Sequence, residues 1–133
     1  MRLLQKVREI RSRKGELHFQ RFAIFETSRV SLYIHRIHKA DKDPHLHSHP
    51  WNFLTVVLSG SYVARGEEGD SVKSPGTWSA MNRHGFHKIQ TILDGPVTTL
   101  FLAYGSRGPW YYDVDGKRID NVFYREMRQS GEL

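Results

Sequence analysis

The segment HSHPWNFLTVVLSG, residues 47–60, carries the strongest structural signal in the chain. It places His47 and His49 at alternate positions, directly before a run rich in Val, Leu and Thr that ends at Ser59-Gly60. Such a run, closed by a turn dipeptide, is typical of a buried β-strand. Alternate side chains of an extended segment lie on the same face, so both imidazoles can approach one metal ion.

A third histidine lies in the segment RHGFHKIQTIL, residues 83–93, where His87 begins another β run. In a small antiparallel barrel, strands that are distant in sequence face each other across the interior, so His87 can meet His47 and His49. Imidazole nitrogens bind divalent ions at about 2.0 to 2.2 Å, and a stable site needs a third ligand of this kind. On spacing alone, a solvated polar loop remains the alternative.

The rest of the chain predicts an all-β fold in one domain. Its length of 133 residues suits a single domain, and 38% hydrophobic and 12% aromatic residues are enough for a packed core. Short apolar runs separated by Gly, Pro, Asp and Ser predict consecutive antiparallel strands, hence a sandwich or barrel. These runs are LHFQRFAIFE, RVSLYIHRIH, FLTVVLSGSYVA, VKSPGTWSAM, HKIQTIL and VTTLFLAYG.

The two ends of the chain have a different texture. Leu3, Val7 and Ile10 fall at helical spacing, which predicts a short basic helix within residues 1–15, with Gly15 ending it. The barrel core then spans residues 16–104.

Residues 105–133 form a C-terminal extension of the same domain, residues 1–133. Either Asn121 caps a helix over residues 122–129, or YYDVDGKRIDNVFYRE, residues 111–126, forms a hairpin and tail.

Charge and composition exclude several classes of function. The net charge of +6 is concentrated in residues 1–39, but these basic residues match no nucleic-acid module, so we do not expect nucleic acid as a partner. There is no cysteine, so a metal must be bound by nitrogen and oxygen. The sequence has no signal-peptide run and no stretch near the roughly 20 apolar residues of a membrane span, which predicts a soluble, cytoplasmic protein.

The two histidine segments resemble the motifs of the cupin family. The first cupin motif is usually His-x-His, three or four residues, Glu, six residues and Gly, and the segment from His47 to Gly60 keeps this frame. The second runs from a Gly to a His about eleven positions later, as Gly76 and His87 do. The resemblance implies a jelly-roll β-barrel with His47, His49 and His87 as metal ligands. LYIHRIHKADKDPHLHSHPWNFLTVVLSGSY, residues 32–62, is also similar to bacterial and phage cupins with an HxHPW signature.

One position departs from the family pattern. Phe53 stands where many metal cupins carry a ligating Glu, and Asn52 is the nearest polar substitute. The resemblance then implies a centre of three neutral imidazoles, as in thiol dioxygenases, or a barrel that has lost its metal. His45 is a further candidate for the missing ligand or for a proton carrier. Iron, zinc, manganese and nickel all accept imidazole, so the identity of the ion stays open.

Other residues are candidates for the substrate pocket. Arg36 shares parity with Leu32 and Ile34, so it faces either the lumen, where it would bind an anionic group, or the outer surface. Tyr62 and Tyr104 are candidate acids. Trp51, Phe53 and Thr91 are candidate pocket residues, with plain core packing as the alternative.

These observations favour a metal-dependent enzyme that acts on a small, anionic molecule, with a dioxygenase-like oxidoreductase as the leading type. The alternatives are a non-catalytic module that binds a small ligand or metal, and a metal-free sugar isomerase or epimerase that uses histidine and tyrosine. We also expect a homodimer, because cupins are commonly dimers and the strand around FAIFE, residues 22–26, would otherwise present an open edge.

Overall fold

The structure is a computed structural model and describes residues 4–41 and 44–131. Within these residues the chain is mostly antiparallel β-sheet with one short helix, which confirms the all-β prediction. The strands are β1 (Gln5–Arg11), β2 (Leu17–Glu26), β3 (Val30–Ile37), β4 (Leu46–His47), β5 (Asn52–Gly66), β6 (Gly69–Lys73), β7 (Trp78–Met81), β8 (His87–Tyr104), β9 (Tyr111–Val114) and β10 (Lys117–Asp120), and the helix is α1 (Asn121–Ser130).

Two long strands, β5 and β8, pair with each other and form the spine of the molecule. Their register shifts repeatedly near Ser59 and Ser61, where both strands bend. Gly60 adopts φ +79°, and a Cβ there would lie 2.6 Å from the Asp94 carbonyl oxygen and 2.8 Å from that of Pro96. The turn dipeptide Ser59-Gly60 therefore lies at a bend inside the continuous strand β5, and Asp94-Gly95-Pro96 lies at the matching bend inside β8.

The bend divides the sheet into two halves that share β5 and β8. In one half, β1, β2, β3, the second part of β8, the first part of β5, and β7 follow one another. In the other half, β10, β9, β4, the first part of β8, the second part of β5, and β6 follow one another. The inner faces of both halves line a common cavity, as expected for a jelly roll.

The inner face of β3 shows how the core is built. Tyr33, His35 and Ile37 alternate inward and are almost fully buried, whereas Arg36 on the opposite face is exposed. Tyr33 packs with Phe53, and Ile37 belongs to a second buried cluster.

The N-terminal helix prediction is wrong, because Gln5–Arg11 forms strand β1, paired with β2. Ile10 pairs with Phe19 in the sheet, and Val7, also β-branched, lies at the register shift between Lys6 and Arg8. Leu3 lies outside the described residues. Gly15 lies in the β1–β2 turn with φ +83°. The predicted open edge at β2 is also wrong, since β1 covers it and becomes the edge itself.

At the C-terminus, both alternatives are present in succession. β9 and β10 form a hairpin, and α1 follows directly. The helix is capped by Asp120, not Asn121, because the Asp120 carboxylate accepts a hydrogen bond from the Val122 backbone N–H at 2.9 Å. Tyr124 anchors the helix and is completely buried in a cluster with Tyr112 and Val114. No helix of the described residues has the length and apolar character needed to cross a membrane.

Candidate metal centre and its cavity

The three predicted histidines are brought together by a very short strand. Strand β4 pairs with both β8 and β9, so that His47 lies opposite His87 on one side and Tyr112 on the other. Ser48 secures this segment, since its backbone N–H donates to the Tyr111 carbonyl and its hydroxyl accepts from the Tyr111 N–H, both at 2.9 Å. Ser48 is 2% exposed, and sequence reasoning did not identify its role.

One potential ligand nitrogen from each of His47, His49 and His87 lies within 4.8 Å of the others. The Nε2 atoms of His49 and His87 are 2.6 Å apart, and the ring centroids of His47 are 5.2 Å from both other rings. We call these three residues the histidine wall. Among the described residues, no carboxylate joins this group.

Burial keeps two of these imidazoles in their neutral form. The pKa of His49 is lowered well below its usual value, chiefly by burial and then by the neighbouring His87 and His47. The pKa of His87 is lowered to about 4, again by burial first and by His47 second. A neutral imidazole has the lone pair that a metal requires, so the protonation state of both residues suits ligation at neutral pH.

The donor set fits a divalent ion. Two imidazole nitrogens bound to one ion at about 2.0 to 2.1 Å would be separated by about 3.0 to 3.4 Å in tetrahedral or octahedral geometry. The observed 2.6 Å between the Nε2 atoms of His49 and His87 is about 0.4 to 0.8 Å shorter than that spacing. Ring rotations that separate these two nitrogens would make room for an ion, and three protein ligands would leave positions for water or substrate.

Phe53 occupies the side of the cluster where many cupins have a carboxylate. It is 3% exposed, and its ring centroid is 4.9 Å from that of His49 and 5.4 Å from that of His87. Phe101 stacks on Phe53 at 4.8 Å. The cluster therefore has an apolar wall that cannot contribute a charge.

The histidine wall lines a cavity of about 360 Å³, a size typical of small-molecule sites. A second cavity, of about 500 Å³, is bordered by the β5–β6 hairpin and shares Phe53, Thr55, Tyr62 and His87 with the first. Tyr62 is 7% exposed, and its pKa is raised by burial and by Asp41, which keeps the phenol protonated. Of the two candidate tyrosines, Tyr62 thus reaches the cavities.

The two candidate substitutes for the missing carboxylate lie outside the cluster. The Nδ1 atom of His45 is 2.9 Å from the Tyr124 hydroxyl, because β4 is too short to keep His45 in alternation with His47. Asn52 accepts a hydrogen bond from the Arg83 N–H at 2.8 Å. His45 is not part of the histidine cluster, and nothing in this structure supports a ligand role for Asn52.

Three further candidates do not line the cavity of the histidine wall. Arg36 is on the outer face, because the apolar Leu32 and Ile34 with which it shares parity also face outward. Tyr104 is 41% exposed beyond the inward-facing Ala103. Trp51 packs against the core cluster of Tyr33 and Phe53, as the core-packing alternative states.

Thr91 is exposed because of a β-bulge. In the pairing with β5, Ala64 lies opposite Ile89 and the adjacent Val63 lies opposite Thr91, so Gln90 is an extra residue in β8. The bulge reverses the alternation, and Ile89 and Ile92 pack against the core instead.

The arginine of the cavity is Arg21, which sequence reasoning missed. It lines the cavity together with Arg8 and His35, and its Nε donates to the His35 Nε2 at 3.0 Å. The signal was present in LHFQRFAIFE, where Arg21 shares parity with Phe19 and Ala23, both of which pack against core clusters.

Solved structures with the same architecture identify the fold. A sugar phosphate isomerase of the cupin superfamily from Silicibacter pomeroyi superposes with a TM-score of 0.54 and 15% sequence identity, covering 77% of this chain and 75% of that chain. This chain has the cupin fold. KdgF from Halomonas sp. superposes with a TM-score of 0.56 and 16% identity, covering 77% of this chain and 87% of that chain.

A further cupin-like neighbour is the Fe(II) form of HppE with an alternative substrate, with a TM-score of 0.57, 12% identity, and coverage of 77% of this chain and 56% of that chain. No protein-family model matches the sequence, and no curated protein matches it significantly. At these identities the likeness shows a shared fold alone. The prediction of a cupin jelly roll is confirmed, and the narrower HxHPW grouping stays a prediction.

Proposed function

We propose that this cupin binds one divalent metal ion through His47, His49 and His87 and catalyses a reaction of a small molecule, with oxygenase-type oxidation as the favoured chemistry. The observation that carries the proposal is the convergence of three imidazoles, two of them kept neutral by burial, on the wall of a cavity of about 360 Å³. The Fe(II) form of HppE shares the fold, which makes iron a reasonable first ion to test.

A bound iron would supply Lewis acidity and a site for dioxygen, whereas zinc, manganese or nickel would supply Lewis acidity with different geometric preferences. Three neutral ligands leave the full charge of the ion uncompensated, which favours an anionic substrate. Phe53 and Phe101 exclude water from one side of the cluster. Tyr62, which stays protonated and lines the same cavity, is the residue placed to donate a proton to the substrate.

Metal uptake provides the first test. The chain is purified without added metal, then equilibrated with Fe(II), Zn(II), Mn(II) or Ni(II), and the bound ion is measured by elemental analysis. We expect about one ion per chain for the wild type and for His84→Ala, and none for His87→Ala. His84 is a matched control because it lies three positions away and is exposed. Absence of uptake of all four ions by the wild type would refute the metal centre.

Oxygen consumption provides the second test. The iron-loaded protein is mixed with small carboxylic acids and thiols, and dissolved oxygen is followed with an electrode. We expect substrate-dependent consumption that is lost in His87→Ala and kept in His84→Ala. Metal binding without oxygen consumption by any substrate would instead favour a non-oxidative reaction or a non-catalytic, ligand-binding role.

A metal-free isomerase is the second candidate function, and the position of Tyr62 favours it. Tyr62 and His87 line both cavities and could act as an acid and a base on one sugar. The Silicibacter pomeroyi neighbour, which shares the fold, is described as a sugar phosphate isomerase. Activity that survives a strong chelator but is lost in Tyr62→Phe would support this candidate over the metal enzyme.

We also propose that the chain forms a homodimer through the outer face of the sheet half that contains β2 and β3. Cross-strand pairing aligns two apolar rows on this face, Phe22, Ile34, Leu100, Val56 and Trp78 in one and Leu32, Leu102, Leu54 and Ala80 in the next. Trp78 is 67% exposed. Two such faces can pack about 10 Å apart around a twofold axis. Sedimentation should show a dimer for the wild type and a monomer for Trp78→Glu.

A further inference from the structure

The cavity has a second chemically distinct wall, formed by a cross-strand row on the inner face of β1, β2 and β3. Arg8 lies directly opposite Arg21, and Arg21 lies directly opposite His35. All three residues line the cavity of about 360 Å³ that the histidine wall also lines. We call these residues the arginine wall.

Two like charges in directly opposite positions of neighbouring strands repel each other. The charge of Arg8 contributes, after burial, to lowering the pKa of Arg21. Within residues 4–41 and 44–131, no carboxylate lies within ion-pairing distance of Arg21. The one acidic residue of the cavity lining is Asp41, whose carboxylate accepts a hydrogen bond from the Ile89 N–H at 2.6 Å. Glu26, which accepts a hydrogen bond from the Tyr33 hydroxyl, acts on Arg21 in the opposite direction and raises its pKa, but it does not form an ion pair with the partly buried guanidinium.

The adjacent row, on the outer face of the same strands, has a different arrangement. Glu9 lies opposite Gln20, which lies opposite Arg36. Glu9 accepts hydrogen bonds from Lys6, Arg11 and Gln20, and these contacts lower its pKa to about 2. The outer row therefore has an acid hydrogen-bonded to its cations, whereas among the described residues no carboxylate forms an ion pair with Arg8 or Arg21.

The guanidinium of Arg21 is also held in a fixed orientation. Its Nε donates to His35, and its Cζ lies 4.8 Å from the centre of the Tyr33 ring. His35 is 5% exposed and packs against Phe101, with a pKa lowered well below its usual value by burial and by Arg21, so it acts as a neutral acceptor. The described residues offer no acceptor to the two terminal Nη groups of Arg21, which leaves the bidentate donor pair of the guanidinium for a ligand.

We propose that Arg21, oriented by His35 and assisted by Arg8, forms an anion subsite that binds a carboxylate or phosphate group of the substrate. The subsite deepens the proposed function, because an anionic group bound there would place the remainder of the molecule in the cavity beside the histidine wall. Its existence does not depend on the metal, since none of its three residues belongs to the ligand set.

Anion binding to the metal-free protein tests this subsite separately from metal binding. The metal-free wild type is titrated with inorganic phosphate and with malonate at constant ionic strength, and binding is followed by calorimetry and by the thermal unfolding midpoint. The variants are Arg21→Gln, Arg21→Lys and Arg8→Gln. Arg36→Gln is the matched control, because it removes an arginine from the outer row of the same sheet.

We expect the wild type and Arg36→Gln to bind at least one of the two anions with the same affinity. Arg21→Gln should weaken that binding about tenfold or more, which corresponds to the loss of a charge-assisted bidentate contact. Arg21→Lys keeps the positive charge but loses the bidentate donor pair, so it should weaken anion binding about threefold. Arg8→Gln removes an exposed positive charge and should also weaken anion binding about threefold. Should Arg21→Gln fail to fold, these two variants decide the question.

The subsite is refuted if the wild type binds neither anion, or if the Arg21 and Arg8 variants bind as tightly as the wild type. A preference for phosphate over malonate would assign phosphorylated substrates, and the reverse would assign carboxylates. Metal uptake is measured on the same samples. Arg21→Gln should take up metal like the wild type, so a failure of the metal centre and a failure of the anion subsite give different results.

Discussion

The histidine wall and the arginine wall face one cavity but are built in different ways. The histidines come from two short segments in which the spacing of residues defines their common face, and burial keeps His49 and His87 neutral. Arg8, Arg21 and His35 come from three neighbouring strands and are brought into one row only by strand register, including a shift between Lys6 and Arg8. A local motif can therefore be recognised in the sequence, whereas a row that depends on register and bulges is visible only in the folded chain.

The largest effect that separates the two walls should follow from His49→Ala. Loss of one of three imidazole ligands should weaken metal binding by more than about a hundredfold, since even residues that only orient a ligand contribute about ten- to a hundredfold. Anion binding at Arg21 should be unchanged. Calorimetry with Zn(II) and with phosphate on the same variant measures both. Joint loss of both affinities in a folded variant would show that the walls are not independent.

Gly60→Ala should damage both walls together. The glycine has φ +79°, and an added Cβ would collide with the carbonyl oxygens of Asp94 and Pro96 on the paired strand. We expect a loss of about 2 to 4 kcal/mol in the free energy of unfolding, measured by urea denaturation. Gly116→Ala, which has φ +84° but no atom within 4 Å of the added Cβ, is the matched control and should cost less. Equal losses of unfolding free energy in the two variants would mean that the close approach of β5 and β8 at Gly60 adds nothing to the cost of the substitution.

Acid should destabilise the metal-free protein through the histidine wall. The pKa of His87 is about 4 in the folded chain, against an ordinary value of 6.5, so the unfolded chain binds more protons between these pH values. The free energy of unfolding therefore falls as the pH drops through this range, and His87 alone should remove about 3 kcal/mol between pH 7 and pH 4. Denaturation at several pH values checks this. His84→Ala should retain the slope and His87→Phe should flatten it, and an equal slope in His87→Phe would contradict the assignment.

Ser48→Ala should produce a smaller and more selective effect. The hydroxyl accepts the Tyr111 N–H, so its loss leaves a buried donor unsatisfied and should cost about 1 to 2 kcal/mol of stability. Ser48 lies between His47 and His49 and holds this segment against Tyr111. Its loss should therefore also lower metal affinity by about tenfold and leave anion binding intact. Ser48→Thr, which keeps the hydroxyl, should recover part of the metal affinity. A variant that loses stability but no metal affinity would limit Ser48 to a structural role.

Much of the fold was accessible from the sequence, because alternating apolar runs and turn residues reflect local physics. The apolar runs fall in strands, but HKIQTIL and VTTLFLAYG belong to one strand, β8, and VKSPGTWSAM spans the end of β6 and the whole of β7. The two histidine segments converge as their spacing predicts. The N-terminal segment was misassigned because three apolar residues at helical spacing are compatible with a strand when a partner strand is available. Pairing with β2 decides this, and pairing is a non-local property.

The errors at the site have a common physical origin. Parity arguments assume that apolar residues face inward, but the outer face of β3 carries Leu32 and Ile34. Of the two alternatives for Arg36, the structure has the outer face. Parity also assumes regular strands, and the bulge at Gln90 moved Thr91 to the surface. Arg21 shares parity with core residues, but a charged residue in an apolar run was not recognised as part of the cavity lining.

The central claim is that three imidazoles bind one ion, and X-ray absorption at the metal edge of the loaded protein tests it most directly. We expect about three nitrogen ligands at about 2.0 to 2.1 Å with the multiple-scattering pattern of imidazole, reduced to two in His49→Ala and unchanged in His84→Ala. A spectrum with oxygen ligands alone, or the same imidazole count in His49→Ala and in the wild type, would contradict the account.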